Sequence, residues 1–401
     1  MMLHLLRTLS AKEDFPAPRL HSGPMLQPNP FLITADYYGP DYFCDRQDET
    51  EALESNIANG RNTVLISSRR MGKSGLIAHV FNRAFVKSNF KTFSIDLYPT
   101  SSLAELILLL AKEITGPLKS KGQSLLESFL GIVKSLRPGF KVDPVTGQFV
   151  FDLSLGEIVK PVDSLKEIFQ YLEGSEVPCL VSMDEFQQIA EYPDNNVLEL
   201  LRTYVQKCKH TWFIFAGSDR RMMEKLFNNP SEPFYMSCSP LYLDAIQYEN
   251  YLVFARHHFE AAGKSLQEES FKQVYELFDG HTWYVQRLMN EMFAWTKPGE
   301  VADAQMASDA LTFVIKTYAR TFQEQMSSYP EAQKQLLIAI AKDGQAQQVT
   351  SVAFCKKHSM KSPSTVQSAL RVLHDKGIVR KDGTTYSVTN RLFGIWLAMA
   401  Y

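Results

Sequence analysis

An eight-residue segment constrains the fold of this chain more than any other feature of its sequence. It runs from Ser67 to Ser74, reads Ser-Ser-Arg-Arg-Met-Gly-Lys-Ser, and departs only at its first position from the phosphate-loop pattern G-x-x-x-x-G-K-[ST]. The run 62–66 before it is apolar and rich in β-branched residues, and the run 75–81 after it has helical spacing. The sequence therefore predicts the strand, loop and helix of a P-loop fold.

The residue types in this loop match the chemistry of phosphate binding. We expect Lys73 to reach the β and γ oxygens of a nucleotide and the Ser74 hydroxyl to ligate Mg²⁺. Gly72 permits a backbone conformation that a β-carbon would oppose. Ser67 in place of the first glycine indicates an altered turn or a lost activity, and an ordinary Gly-Lys-Ser turn is the alternative. The residues of the candidate nucleotide site are Ser68, Arg69, Arg70, Met71, Gly72, Lys73, Ser74 and Gly75.

Length and composition bound the class of protein. A chain of 401 residues is expected to form two or three domains, and 45% hydrophobic with 21% charged residues indicates a soluble globular protein. No stretch approaches the roughly 20 apolar residues of a membrane span, and the apolar run at the start is too short for a signal peptide. We therefore expect a cytoplasmic protein without a membrane partner. The five cysteines form no C-x-x-C pair, so neither a disulfide framework nor a zinc site is expected.

The net charge of −2 is unevenly distributed along the chain. From residue 326 onward ten basic residues face four acidic ones, so this segment carries +6 and the remainder −8. Such asymmetry is typical of a module that binds nucleic acid. A solvated basic face without a partner is the alternative.

The chain is expected to fall into four segments. Residues 1–30 are rich in Pro, His and Ser and predict a disordered arm. Residues 31–240 alternate strands with helices, which predicts an α/β P-loop core with a mostly parallel sheet flanked by helices. Helical patterns dominate residues 241–325, which predicts an all-α domain, and residues 326–401 switch to short helices and a hairpin.

An insertion interrupts the core. The predicted core strands are 62–66, 91–97, 179–183 and 212–216. Between the second and third, residues 117–163 change pattern: 123–136 predicts an amphipathic helix, and Val142 is expected to pair with 148–153 in a hairpin.

A second nucleotide-binding element follows the third strand. The apolar run Leu180–Met183 ends in Asp184 and Glu185. Two carboxylates at a strand end are unfavourable to bury without a cation, so we expect Asp184 to contact Mg²⁺ directly or through water. Glu185 is expected beside the γ-phosphate, where it would orient or deprotonate water. The alternative is that both acids only cap the next helix.

The fourth strand ends at a further polar residue. Ser218 follows Gly217, and in a sheet of this kind the strand beside the phosphate loop ends next to the γ-phosphate. We therefore expect Ser218 to sense the nucleotide through a hydrogen bond. Arg220 or Arg221 would neutralise phosphate charge, or both are exposed arginines that cap a helix.

Taken together, the motifs resemble the archaeal-type ATPase family, in the STAND branch of AAA+-related P-loop NTPases, which has bacterial members. The resemblance covers residue 30 onward and implies an ATPase core, a helical lid and a C-terminal winged helix. The motifs that carry it are Asp45-Arg46…Glu49, Ser68–Ser74, Val181–Phe186, Phe215–Ser218 and Asp279–Tyr284.

The resemblance also implies nucleotide contacts outside the phosphate loop. Gly280-His281 matches a lid motif whose residues approach the nucleotide in the family, and Thr282 stands where that motif has proline. His281 is therefore a candidate phosphate or ribose contact, or a core histidine. By the same resemblance Phe43 would lie near the adenine, or it belongs to the core.

The C-terminal segment can be interpreted without the family. Its pattern predicts three helices, at 332–341, 351–358 and 364–376, followed by a hairpin over 377–388. This order is typical of a winged helix-turn-helix, whose third helix enters the major groove of DNA. Lys381 in the wing would touch phosphate. A protein-contact role is the alternative. The polar face of the third helix is Ser364, Thr365, Gln367, Ser368 and Arg371.

These features favour one function among several. The leading expectation is a Mg²⁺-dependent ATPase that switches between ATP and ADP states and whose winged helix binds double-stranded DNA, a protein partner or a second copy. Ser67 and Thr282 motivate the alternative of a nucleotide-binding scaffold with little turnover. A DNA-binding regulator with an incidental ATPase core is a third possibility. A small-molecule kinase is disfavoured because no acceptor site is evident.

Overall fold

The computed structural model describes residues 29–33, 37–118, 140–142, 149–151 and 161–401. The chain divides into two compact units. We call Ile33–Tyr251 with His281–Trp283 the sheet unit, and Leu252–Gly280, Tyr284–Tyr401 and the described residues 29–32 the helical unit. Residues 1–28 of the predicted arm 1–30, and the predicted helix at 123–136, lie outside the described residues.

A five-stranded parallel sheet organises the sheet unit. Its order is β2-β5-β6-β1-β7, and each neighbouring pair is parallel. Two further strands, β3 and β4, form the predicted antiparallel hairpin, in which Val142 pairs with Phe149. The strands are β1 Thr63–Ser67, β2 Lys91–Asp96, β3 Phe140–Val142, β4 Phe149–Phe151, β5 Cys179–Asp184, β6 Thr211–Gly217 and β7 Ser239–Leu243.

Helices cover both faces of this sheet. All five residues of β1 are buried; Val64 and Ile66 join one apolar cluster, and Leu65 joins the other. This alternation follows from the two-residue period of a strand, and burial on both faces is typical of parallel sheets. The helices are α1 Gln47–Ala58, α2 Lys73–Asn82, α3 Ala84–Asn89, α4 Leu103–Leu118, α5 Pro161–Glu173, α6 Val197–Val205 and α7 Arg220–Asn228.

Strand β7 was not predicted from the sequence, which indicated four strands in the sheet. Its register pairs Thr63 with Ser239 and Ser67 with Leu243. Pro240 and the exposure of alternate residues weaken the strand signal. Proline, which lacks a backbone donor, is accommodated on edge strands, and β7 lies at the edge of this sheet.

The helical unit contains an aromatic core built around Phe31. Phe31 is fully buried and lies 5.9–6.0 Å, between ring centroids, from Phe254, Phe259 and Phe293. The Asn29 side chain donates to the Asn290 carbonyl at 2.8 Å. The helices here are α8 Tyr248–Ala261 and α10 Thr282–Trp295, both of which begin in the sheet unit, α9 Glu268–Leu277 and α11 Ala304–Ser327; β8 Ser265–Leu266 pairs in parallel with β9 Val301–Ala302.

The C-terminal part of the helical unit contains the predicted three helices and hairpin. Its third helix starts one residue before the predicted 364: Pro363 is the first helical residue, and the Ser362 hydroxyl accepts from the Thr365 backbone N–H. A short strand and a last helix were not predicted. The elements are α12 Glu331–Asp343, β10 Ala346–Gln347, α13 Val352–Lys357, α14 Pro363–Asp375, β11 Val379–Asp382, β12 Thr385–Val388 and α15 Arg391–Ala400. Among the described residues, no helix combines the length and apolarity needed to span a membrane.

Candidate functional site

The phosphate loop joins β1 to α2, as the sequence predicts. Gly72 precedes the helix with a φ of 98°, a conformation that favours glycine. Arg70 also has a positive φ, of 63°, although it carries a β-carbon. Ser67 is buried, and its hydroxyl donates to the Ser68 carbonyl at 2.9 Å. The serine in place of the first glycine is therefore accommodated inside the fold. Ser68, Arg69, Arg70, Gly72 and Ser74 are exposed.

Lys73 combines burial with a positive charge. It is 6% exposed, and this burial lowers the pKa of its ammonium group, as Arg69 also does. Asp184 and Glu185 act in the opposite direction and raise the pKa. The ammonium group is therefore poorly hydrated and close to two carboxylates, which suits it to an anionic ligand.

The phosphate loop and the predicted second nucleotide element meet in space. The Ser74 hydroxyl donates to Oδ2 of Asp184 at 2.8 Å, although 110 residues separate them in the sequence. A hydroxyl and a carboxylate oxygen are the hard oxygen ligands that Mg²⁺ prefers. The pair therefore fits the ion that the sequence predicts there.

Glu185 is held by two hydrogen bonds to one of its oxygens. The Ser218 hydroxyl donates to Oε2 at 2.6 Å, and Nε2 of Gln187 donates to the same atom at 2.5 Å. Glu185 has a φ of 54°, and the 3₁₀ helix Phe186–Glu191 follows it. A β-carbon on Gly217 would lie 2.5 Å from Oε1 of Gln187, so glycine leaves the room that Gln187 occupies.

Sheet order explains why Ser218 and Glu185 meet. Strand β6 lies between β1 and β5, so it is the neighbour of the phosphate-loop strand, as predicted. The carboxyl ends of parallel strands share one edge of a sheet. The structure thus brings together four predicted site residues, Ser74, Asp184, Glu185 and Ser218. Gln187 was not predicted, because it belongs to no recognisable sequence motif.

Arg46 was also missed as a contact of the phosphate loop. It is 5% exposed, and its guanidinium pairs with Glu49 at 2.8 Å and donates to the Asp244 carbonyl at 2.6 Å. A longer bond, 3.4 Å, reaches the Met71 carbonyl inside the loop. The motif Asp45-Arg46…Glu49 was the available signal, but the resemblance placed the stretch 42–46 near the adenine and predicted no contact with the phosphate loop.

Thr282 contacts the same loop carbonyl. Its hydroxyl donates to the Met71 carbonyl at 3.4 Å, within the sheet unit. His281, the predicted nucleotide contact, precedes it and is half-buried. The threonine that replaces the family's proline thus supplies a hydrogen bond that proline could not donate.

Phe43 lies beside the first turn of α2. A β-carbon on Gly75 would lie 3.9 Å from the Phe43 ring, and the ring stacks on His79 with centroids 4.1 Å apart and planes at 9°. The Tyr37 hydroxyl lies 2.9 Å from Nδ1 of His79. Phe43 is half-buried and packs on the apolar cluster that contains Leu65.

The two arginines after Ser218 are exposed, and Arg220 contacts other side chains at the surface. Arg220 pairs with Glu224 at 3.0 Å and lies over the Tyr242 ring, 5.2 Å from its centroid. Arg221 is exposed. Arg220 is therefore an exposed residue in the first turn of α7, whose cap is Asp219: the Asp219 side chain accepts from the Met222 backbone N–H.

The predicted DNA-binding face lies on α14 in the helical unit. Ser364, Gln367, Ser368 and Arg371 are exposed, and Thr365 is half-buried. Lys381 in the hairpin is exposed, with its ammonium 5.6 Å from the centroid of the Tyr386 ring.

Sequence comparison identifies two family models in the chain. The model described as an ATPase domain predominantly from Archaea matches residues 43–288, and a probable winged helix domain matches residues 320–399. No curated protein matches the chain.

Several solved structures share the fold at low sequence identity. A Walker-type ATPase of Pyrococcus abyssi has a TM-score of 0.62 and 18% identity, with 92% of this chain and 99% of that chain covered. The ORC2 protein of Aeropyrum pernix, solved as ADPNP-ADP complexes, has a TM-score of 0.54 and 14% identity, with 92% and 97% covered. The ORC1 protein of Aeropyrum pernix, solved in complex with DNA, has a TM-score of 0.51 and 13% identity, with 93% and 96% covered.

Proposed function

Because the chain belongs to the family of ATPase domains found predominantly in Archaea, we propose that it binds ATP, hydrolyses it, and works as a nucleotide-controlled switch. The observation that carries this proposal is the 2.8 Å hydrogen bond from Ser74 to Asp184, which joins the two nucleotide motifs. The same arrangement supports a P-loop ATPase core and is not explained by an isolated Gly-Lys-Ser turn.

Each residue of the site has a role in this proposal. Lys73 binds the β- and γ-phosphates, and its buried ammonium gains a partner when the nucleotide binds. Ser74 and Asp184 would hold Mg²⁺, whose charge offsets that of the phosphates. Glu185 orients or deprotonates the attacking water, and Ser218 holds the Glu185 carboxylate.

Binding and turnover can be tested separately. We expect ATP with Mg²⁺ to bind in a calorimetric titration, and Lys73→Ala to abolish that binding. Steady hydrolysis should collapse in Glu185→Gln while ATP binding persists. A wild-type chain that binds no ATP would contradict the proposal as a whole.

The alternative of a scaffold with little turnover is favoured by one observation. Two donors already occupy Oε2 of Glu185, which restrains the residue expected to act on water. Tight ATP binding without measurable hydrolysis, unchanged in Glu185→Gln, would select this alternative.

The winged helix domain is proposed as the module that binds duplex DNA. Its support is the net charge of +6 from residue 326 onward and the exposed polar face of α14. Gel-shift titrations with and without ATP test the proposal. Salt-dependent duplex binding that changes with nucleotide supports a DNA-directed switch. DNA binding that does not change with nucleotide would support a DNA-binding regulator whose ATPase core is incidental. Absence of DNA binding would support a protein partner or self-association.

A further inference from the structure

Two residues at the start of α10 contact the phosphate loop from one side. The Arg70 guanidinium carbon lies 4.4 Å from the centroid of the Trp283 ring. The neighbouring Thr282 donates to the Met71 carbonyl at 3.4 Å. All four residues belong to the sheet unit, although α10 continues into the helical unit.

The loop needs support where these contacts occur. Arg70 has a φ of 63°, a left-handed conformation that is disfavoured for a residue with a β-carbon and persists when surrounding contacts hold it. Met71, the next residue, is 7% exposed, and its carbonyl accepts from both Thr282 and Arg46. The middle of the loop is therefore fixed by its neighbours rather than by its own preference.

The two loop arginines occupy different environments. Arg69 is exposed, and its charge lowers the pKa of the Lys73 ammonium group. The Arg70 guanidinium instead lies over the indole of Trp283. A cation above an aromatic face is attracted by the ring quadrupole.

We propose that Trp283 is a positioning residue for the phosphate loop. Its indole holds Arg70, so the loop backbone is preorganised for a nucleoside triphosphate. This proposal rests on the proposed ATP binding. It assigns Arg70 a structural task in the loop and leaves Arg69 as the matched comparison.

A double-mutant cycle tests whether Trp283 acts through Arg70. The variants are Trp283→Leu, which keeps apolar bulk without a ring face, Arg70→Ala, their combination, and Trp283→Leu combined with Arg69→Ala. The dissociation constant for ATP with Mg²⁺ is measured by calorimetry at one salt concentration. We expect Trp283→Leu to weaken binding about fivefold, the size of a partly exposed cation–π contact.

The effect of Trp283→Leu in the Arg70→Ala and Arg69→Ala backgrounds decides whether Trp283 acts through Arg70. In the Arg70→Ala background Trp283→Leu should add less than about twofold, because the cation is gone, whereas in the Arg69→Ala background the fivefold loss should remain. Trp283→Phe should bind ATP within about twofold of wild type, because it restores a ring face. An equal loss from Trp283→Leu in both backgrounds, or no loss in wild type, would overturn the proposal.

A measurement without nucleotide separates this proposal from the proposed function. If the wild type binds no ATP, the function fails, and the same variants are compared by urea unfolding. We then expect the Trp283→Leu change in the unfolding midpoint to shrink in the Arg70→Ala background and to persist with Arg69→Ala. An unchanged shift in both backgrounds would show that Trp283 does not hold Arg70.

Discussion

The Ser218 hydroxyl donates a 2.6 Å hydrogen bond to Oε2 of Glu185, which lies 33 residues earlier in the chain. The side chain of Gln187 donates to the same oxygen. Two donors on one oxygen restrict rotation of the carboxylate, so the orientation of Glu185 is set by Ser218, which follows β6, and by Gln187 in the 3₁₀ helix. This relationship leads to the first of four predictions.

Removing either donor should slow hydrolysis without weakening ATP binding. We expect Ser218→Ala and Gln187→Ala each to lower kcat about tenfold, since a hydrogen bond to a charged group contributes roughly 1.5–3 kcal/mol. The dissociation constant for ATP should stay within about twofold of wild type, because neither donor lies in the phosphate loop. Steady-state hydrolysis and calorimetry measure the two quantities.

The neighbouring glutamine offers a matched control for that prediction. The Gln188 side chain donates to Glu191 rather than to the Glu185 carboxylate, and its backbone hydrogen bond to the Glu185 carbonyl survives substitution, so Gln188→Ala should leave kcat unchanged. A loss in Gln188→Ala equal to that in Gln187→Ala would assign the effect to the 3₁₀ helix instead of the hydrogen bond.

Lys73→Met should stabilise the nucleotide-free protein while abolishing ATP binding. Burial lowers the pKa of Lys73 from its ordinary value of 10.5, so the charged form is less stable in the folded chain than in the unfolded chain. The gain in Tm should therefore be present at neutral pH and disappear as the pH rises through 10.5, where the unfolded lysine also becomes neutral. Thermal unfolding of both proteins from neutral pH to above 10.5 measures the difference in Tm. A lower Tm for Lys73→Met than for the wild type at pH 7 would contradict the prediction.

His79 should make the sheet unit less stable in mild acid. Burial is the main cause that lowers the pKa of His79 below 6.5; Arg83 adds to it and Glu54 opposes it. As the pH falls through 6.5, the unfolded chain takes up a proton before the folded chain does, so the free energy of unfolding decreases.

The His79→Phe variant isolates this contribution. Phenylalanine keeps a ring against Phe43 and cannot titrate, so urea unfolding between about pH 5 and 7.5 should lose part of its pH dependence. The same slope in the variant and the wild type would refute the assignment to His79.

The winged helix should lose DNA affinity when its exposed cations are removed. We expect Lys381→Ala to weaken binding across sequences and to reduce the salt dependence by about one charge, as for a phosphate contact. Arg371→Ala on α14 should also change the preference among duplex sequences, because this helix is the one expected in the groove. Gel shifts over a salt series measure both, with the exposed Lys272→Ala on α9 as the control that should change neither.

The sequence was informative wherever a function is encoded in consecutive residues. The phosphate loop, the strand that ends in Asp184 and Glu185, and Ser218 after β6 could be located because each combines an apolar strand with polar residues at its end. Their proximity also followed, since parallel strands share an edge. The start of α14 was predictable because its signals are local: Ser362 caps it and Pro363 opens it.

The contacts that hold the loop could not be predicted, because they join residues far apart in sequence. Trp283 approaches Arg70 from more than two hundred positions away; its motif Asp279–Tyr284 indicated an approach to the nucleotide but named no partner for the tryptophan. Gln187 has no pattern of its own, and its role depends on Gly217 leaving space. Strand β7 was missed because an edge strand is only half-buried and tolerates proline.

Phe31 has a consequence for how this protein can be dissected. Its ring fills the aromatic core around Phe254, Phe259 and Phe293, yet the chain builds the whole parallel sheet before it returns to those three residues. The helical unit is thus not a contiguous cassette. A fragment cloned from Leu252 onward would carry a cavity the size of a phenylalanine, so grafts between relatives must exchange the early segment together with the later one.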